Sequence, residues 1–518
     1  MFKKIYIFIQ KLSEREILFI LIIITFSLRL YAVLMAKGIA NDSAAYGFMA
    51  RDFMKGNFEK ALSSPLHPFY PVLMALFSPT PSHVEITGRL ISLFFGTLTL
   101  FIIFNIVKKE IGEREAFLTA LFYTFHPYLV TYSGMMLTEA TYWGLLVLSV
   151  YFFWTGLKEE NIWKMAPAGI FLGLSYLTRP EGIGYIFVYF IWIFLNIFQK
   201  KSWLKGVFQI IALVLFVFLF SFPYIFYIYK ETGQWLISKK ALSVQSLFLE
   251  KDFEKNVNGV EPLQNPVKDD QKIIKESEFL LIFKNIINFF PSVFYYYLRA
   301  YHFSLWIFLF FGLMGIKKNL YNELFFISLI IFHLLFLSIF TKSNIRFSIP
   351  MISISLYWAG RGVLEIEKLF KKINSSKAVV WVSTLTLIVL LIQLPQSLKP
   401  ERRHRYYQKE IGLWLKKNTT KDSIIMSNSP QEIFYAEREF IMLPYESRKP
   451  KSPIDSYNEV IRFARENRVK YILIDKNSFE INKGFVDVIV NKKFNFTEDI
   501  KEVFRKPEQK LIIYEIIY

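Results

Sequence analysis

The chain has 518 residues, is 53% hydrophobic and 18% aromatic, and carries charge on only 20% of its positions. Soluble domains carry about 25% charge. Here the charge lies in blocks between long apolar runs, which excludes a soluble enzyme and a disordered chain, and the absence of Cys excludes a disulfide scaffold. The net charge of +19 does not point to nucleic acid, because multi-span membrane proteins gather Lys and Arg in their cytoplasmic loops.

Taken in chain order, eleven stretches have spanning length: 16–36, 84–107, 115–133, 137–157, 162–178, 182–199, 206–229, 293–315, 322–340, 347–364 and 378–396. The first does not read as a cleaved signal peptide. It is long, it holds Arg29, and no small-residue cleavage pattern follows it. Arg29 itself reads as a snorkelling or structurally paired side chain. With the N-terminus inside, the short inner segments hold nineteen Lys and Arg and the outer ones seven, so the N-terminus is expected in the cytoplasm and residues after the last span outside. The basic cluster Arg402, Arg403 and Arg405 runs against this bias.

Three polar regions fall on the expected outer side. Residues 37–83 contain two helices, 42–55 with a partly apolar face and an interfacial one at 68–77. Residues 230–291 are charged in the middle and read as a mobile outer loop. Residues 399–518 alternate between helix-like text (408–417, 457–467) and strand-like text (423–426, 469–474, 511–517), the pattern of a small α/β domain. The expected fold is therefore a polytopic α-helical membrane domain, 1–398, followed by an extracytoplasmic α/β domain, 399–518. That second domain either binds acceptor or serves only as packing.

There is no G-x-G-x-x-G opening a helix, no phosphate loop of the Walker type, no H-E-x-x-H and no G-x-S-x-G. His126, His302 and His333 stand alone in apolar text and read as packed or interfacial side chains rather than ligands. Ionisable groups near the apolar slab are costly and often functional. Asp42, His67, Glu139, Arg179, Glu181 and Arg346 come from five separate pieces of sequence, all on one expected face. Each has a plainer reading. Asp42 and Glu139 suit helix starts, Arg179 and Arg346 suit snorkelling ends, Arg51 suits local pairing, and His67 before Pro68 suits a turn. Transporters place such groups nearer the midplane. A cluster at one interface fits an enzyme that reacts a lipid with something from that compartment.

At these residues the sequence resembles the GT-C glycosyltransferases, and most of all the glycosyltransferase family 39 group of protein O-mannosyltransferases and lipid A aminoarabinose transferases. The resemblance runs over about residues 15–365. It is carried by Asn41-Asp42 leading an Ala-x-x-Tyr46 helix that ends in Ala50-Arg51-Asp52, then His67-Pro-Phe-Tyr-Pro, Leu137-Thr-Glu139, Leu177-Thr-Arg-Pro-Glu181 and Arg346-Phe-x-x-Pro350. Where the protein O-mannosyltransferases have an Asp-Glu pair this chain has Asn-Asp followed by Ser43, which speaks against a protein acceptor, and it has no Trp-Trp-Asp motif of the oligosaccharyltransferase kind.

The resemblance implies an outward-facing active site in the plasma membrane and a sugar donor linked to polyprenyl phosphate. The acceptor hydroxyl would belong to a glycolipid, glycan or protein. It also implies Asp42 as general base. Arg179 and Arg346 are the candidates for the donor phosphate, because guanidinium binds phosphate bidentately and stays charged. Glu139 is expected to orient the sugar or share the base role, with Tyr46, Arg51, His67 and Glu181 as substrate contacts. No cofactor is required. A divalent metal is compatible with the chemistry, and Asp42, His67 and Glu139 are the side chains that would hold it. The rival reading is a lipid or polysaccharide transporter or flippase without transferase chemistry.

Overall fold

A computed structural model describes residues 13–240, 270–316, 320–340, 344–400, 405–444, 452–476, 478–490 and 499–518. The chain divides into two compact units: Met1–Met35, Asp52–Pro79 and His83–Pro400 in the first, and Ala36–Arg51, Thr80–Ser82 and Glu401–Tyr518 in the second.

The helices in chain order are α1 (Glu14–Met35), α2 (Asn41–Met54), α3 (Phe58–Ser63), α4 (Phe69–Phe77), α5 (Val84–Glu110), α6 (Glu113–Phe125), α7 (Pro127–Ser133), α8 (Glu139–Lys158), α9 (Met165–Thr178), α10 (Tyr185–Lys200), α11 (Trp203–Thr232), α12 (Asp270–Ala300), α13 (Trp306–Met314), α14 (Leu320–Ile339), α15 (Ile345–Ile373) and α16 (Ala378–Ser397). Among the described residues, seven helices are long and apolar enough to cross a membrane. They are eight if Ile282–Ala300 and Phe303–Met314, bent by 80°, form one span. The expected count of eleven is not reproduced, and the reasons are local. The stretch 115–133 breaks at His126-Pro127, where Pro127 has no N–H to continue the ladder and the His126 side chain accepts from Leu129 N at 3.5 Å. The stretch 162–178 yields only 14 helical residues. The stretch 293–315 is cut at His302, whose φ of +67° ends the preceding helix.

The outer loop expected over 230–291 is helical from Asp270 onward, a correction to that end of the reading; residues 241–269 lie outside the described residues. The basic residues Lys3, Lys4, Lys11, Lys317, Lys318, Lys342, Arg402 and Arg403 also lie outside them. The two helices expected within 37–83 are present as α2 and α4, joined by the unforeseen α3.

The first unit buries a core of stacked aromatics, with Trp154 on Phe325 at 4.0 Å and Phe153 on Tyr189 at 3.8 Å. Small residues let backbones close up elsewhere. A Cβ on Gly312 of α13 would collide with the Trp358 carbonyl of α15, and a Cβ on Gly362 with the Phe308 carbonyl. Arg29 is fully buried; it donates to the carbonyls of Thr25 and Tyr123, both at 3.3 Å, and lies over the Tyr123 ring. It is structurally paired.

The second unit adds α17 (Tyr406–Asn418), β1 (Ile424–Ser427), α18 (Pro430–Ala436), β2 (Glu439–Met442), α19 (Pro453–Glu466), β3 (Val469–Ile474), α20 (Ser478–Ile481), α21 (Lys483–Val490), β4 (Ile500–Lys506) and β5 (Leu511–Ile516). Its sheet has the order β2-β1-β3-β5-β4, with β1 parallel to β2 and β3, and β5 antiparallel to β3 and β4. This unit holds α2 up to Arg51 together with the tail from Glu401. Phe48 stacks on Phe440 at 5.8 Å and meets Phe434 edge-on at 6.0 Å.

Candidate active site

Three helix ends of the first unit supply the side chains. Glu139 opens α8, where a carboxylate is favoured by the helix dipole, and it is fully buried. Arg179 caps the end of α9. Pro180 forces it into extended backbone (φ −151°, ψ 136°), which stops the helix and frees the side chain to turn inward. Arg346 lies in the first turn of α15, fixed by the N-cap Asn344, whose Oδ1 accepts from Arg346 N at 3.0 Å.

The charges converge. Arg179 Nη1 donates to Glu139 Oε1 at 3.0 Å and Nη2 to Glu181 Oε1 at 3.1 Å, while Arg346 Nε donates to the same Glu139 Oε1. Both guanidiniums lie on the Phe347 ring, at 5.2 Å for Arg179 and 6.0 Å for Arg346, and Arg179 also faces Tyr142 at 5.6 Å. Two cations and two anions thus balance in a mostly buried cluster, the only way such charges are tolerated away from water. The balance of charge leaves hydrogen-bonding capacity over: Glu139 Oε2, Glu181 Oε2 and Tyr142 Oη have no hydrogen-bond partner.

His67 is buried between Tyr176 at 5.1 Å and Tyr224 at 5.2 Å, and neither ring nitrogen has a hydrogen-bond partner. Burial, opposed by the charge of Glu181, pushes its imidazole down to about 3. It is therefore neutral at physiological pH and offers one donor and one acceptor rather than a positive charge.

The structure brings Glu139, Arg179, Glu181 and Arg346 together by direct bonds. Asp42, Tyr46 and Arg51 are on α2, in the second unit. Asp42 is half-buried in its first turn and Tyr46 is buried. Arg51 donates to the carbonyls of Pro81 at 3.1 Å and Phe434 at 2.8 Å and lies 4.0 Å over the Phe434 ring, so it ties that unit together. Among the described residues no group of three or more His, Asp or Glu is gathered to hold a metal ion. No site role was read for Tyr142, or for Phe347 beyond its place in the Arg346-Phe-x-x-Pro350 motif, whereas His333 is buried, in keeping with its reading as a packed side chain. Tyr142 was findable three residues after Glu139, on the same helical face.

Residues 63–227, about a third of the chain, match the sequence profile of the family described as dolichyl-phosphate-mannose-protein mannosyltransferase. No curated protein matches the chain in sequence. Solved structures match over almost its full length. ArnT from Cupriavidus metallidurans bound to undecaprenyl phosphate superposes with a TM-score of 0.57 at 10% identity, covering 96% of this chain and 97% of that one. The Archaeoglobus fulgidus oligosaccharyltransferase tethered to an acceptor peptide gives 0.52 at 12% identity, covering 98% and 74%. The Archaeoglobus fulgidus AglB in complex with an inhibitory peptide and a dolichol-phosphate gives 0.51 at 11% identity, covering 97% and 74%. The fold is that of the GT-C glycosyltransferases, as the sequence motifs led one to expect.

Proposed function

We propose that this GT-C-fold membrane protein transfers a sugar from a polyprenyl-phosphate-linked donor to an acceptor hydroxyl at the non-cytoplasmic face of the plasma membrane. The observation that carries the reading is the pair of guanidiniums from Arg179 and Arg346 meeting on one carboxylate oxygen and one aromatic ring. The similarity to proteins bound to undecaprenyl phosphate and dolichol-phosphate supports a lipid-phosphate donor.

In the reaction the acceptor oxygen bonds to the anomeric carbon, the bond from that carbon to the phosphate oxygen breaks, and the acceptor proton passes to a base. Attack opposite the phosphate inverts the sugar carbon. The leaving phosphate goes from about one negative charge toward two. Cations held where that charge grows favour the transition state over the ground state. Glu139 keeps the two arginines aligned, and its second oxygen and that of Glu181 suit sugar hydroxyls. Asp42 is the proposed base, a role that rests on the motif resemblance. Two guanidiniums meet the charge demand, so the reaction as drawn calls for no metal.

Lipid extracted from the purified protein and identified by mass spectrometry tests the donor class. A polyprenyl phosphate, bare or carrying a sugar, is expected. Recovery of bulk phospholipid alone speaks against it. Asp42→Asn should abolish transfer while the protein stays folded and still binds donor; retention of more than a small fraction of activity overturns the base assignment.

A further inference from the structure

His333 lies inside α14, on the helix before the one that carries Arg346 and far in sequence from Glu139, Arg179 and Glu181, and is buried. Its Nε2 is 2.8 Å from the carbonyl oxygen of Phe347, and its Nδ1 is 2.8 Å from Tyr185 Oη. A carbonyl only accepts, so Nε2 carries the proton. In the neutral ring Nδ1 is then the acceptor and the Tyr185 hydroxyl donates to it. One imidazole therefore joins two pieces of chain in fixed polarity. Tyr185 directly follows the turn that carries Arg179 and Glu181, and Phe347 directly follows Arg346. The Phe347 ring is the surface on which both guanidiniums lie.

The surrounding packing allows little play. A Cβ on Gly184, the residue before Tyr185, would come within 2.6 Å of the Phe332 ring beside His333. Tyr185 Oη also lies 3.6 Å from Met351 Sδ, one turn beyond Phe347.

We infer that His333 is a positioning residue: by clamping Tyr185 and the Phe347 carbonyl it sets the spacing of the Arg179 and Arg346 guanidiniums around the donor phosphate. The inference rests on the proposed transfer reaction for its meaning, but not for its test.

The test is a double-mutant cycle between His333 and Arg346, read on transfer and on binding of undecaprenyl phosphate, which bears the charge the leaving group acquires. His333→Ala is expected to lower kcat roughly 100-fold, the scale of a 1 Å misplacement, while donor KM moves less than about 3-fold. Undecaprenyl phosphate affinity should fall with kcat. In the Arg346→Ala background the same substitution should cost less than about 3-fold, because its target is already gone. His333→Gln, which can still donate to the Phe347 carbonyl, should recover about tenfold of the loss. Full additivity of the two substitutions, or wild-type kcat in His333→Ala, overturns the inference while leaving the transferase reading intact. If the wild type transfers no sugar yet undecaprenyl phosphate binding shows the coupling, the positioning role stands and the transferase reading falls. Should His333→Ala not fold, Tyr185→Phe, which removes one hydroxyl, enters the same cycle with the same criteria.

Discussion

Arg179 bridges two acids with the two prongs of one planar fork, Nη1 to Glu139 and Nη2 to Glu181. A lysine keeps the charge but is a single point that cannot span both. Arg179→Lys should therefore lose roughly tenfold or more in kcat/KM for the donor, measured against lipid-linked sugar, despite unchanged net charge. Removing the shared anion acts on stability instead: Glu139→Ala takes away one of the two acids that balance two partly buried guanidiniums, leaving Arg179 its bond to Glu181, and should cost about 3 kcal/mol, read as a lower melting temperature in detergent. A second buried acid makes a pH prediction. Glu432 of α18 is fully buried, neither carboxylate oxygen has a hydrogen-bond partner, and burial with Asp475 nearby pushes its carboxyl up to about 8. Its folded pKa is raised above the unfolded value, so its contribution is fully present below about pH 4.5 and is lost as pH rises toward 8. Hydrogen exchange of the β1 and β3 amides in the full chain should quicken over that window, and Glu432→Gln should flatten the slope. Of these residues the acids and arginines were legible in the sequence, because a charge in apolar text has to be explained. Glu432 was not: it sits in polar text, and only the fold buries it.

Long apolar periodicity located almost every helix of the first unit, since a span must satisfy its own backbone. It did not predict where spans break. His126-Pro127 was visible as a proline within apolar text, whereas the bend at His302 comes from a backbone conformation that no pattern announces. In the second unit β3 and β5 were legible as apolar runs. The strands β2 and β4, short or charge-rich, form only because β1 and β5 offer them a hydrogen-bonding edge. Glycines separate two physical causes. Gly362→Ala puts a methyl against the backbone of α13, which no rotamer change relieves, and should cost about 1–3 kcal/mol of thermal stability. Gly56→Ala meets nothing within 4 Å but sits at φ +77°, so its cost of about 1 kcal/mol is backbone strain alone. Thermal unfolding of the two variants should rank them in that order.

At the scale of the whole molecule, composition alone was enough to read a membrane protein, and motif order was enough to read the GT-C fold, although the solved structures described above share only 10–12% identity with this chain. At that distance periodicity and a few charges outlast almost all side-chain identity. The partition of the chain was the harder part, because a domain boundary drawn along the sequence cannot reveal that a distant helix has been recruited across it.

That recruitment has a practical consequence for chimaeras. Helix Asn41–Met54 is bolted to the tail through the Phe48 stacks, the Gln431–Asn41 hydrogen bond and the anchoring of Arg51 on Phe434. Anyone exchanging C-terminal segments between relatives must transplant that helix as part of the same cassette. A truncation after Pro400 strips it bare, so an inactive truncated protein would say nothing about whether the tail touches the acceptor.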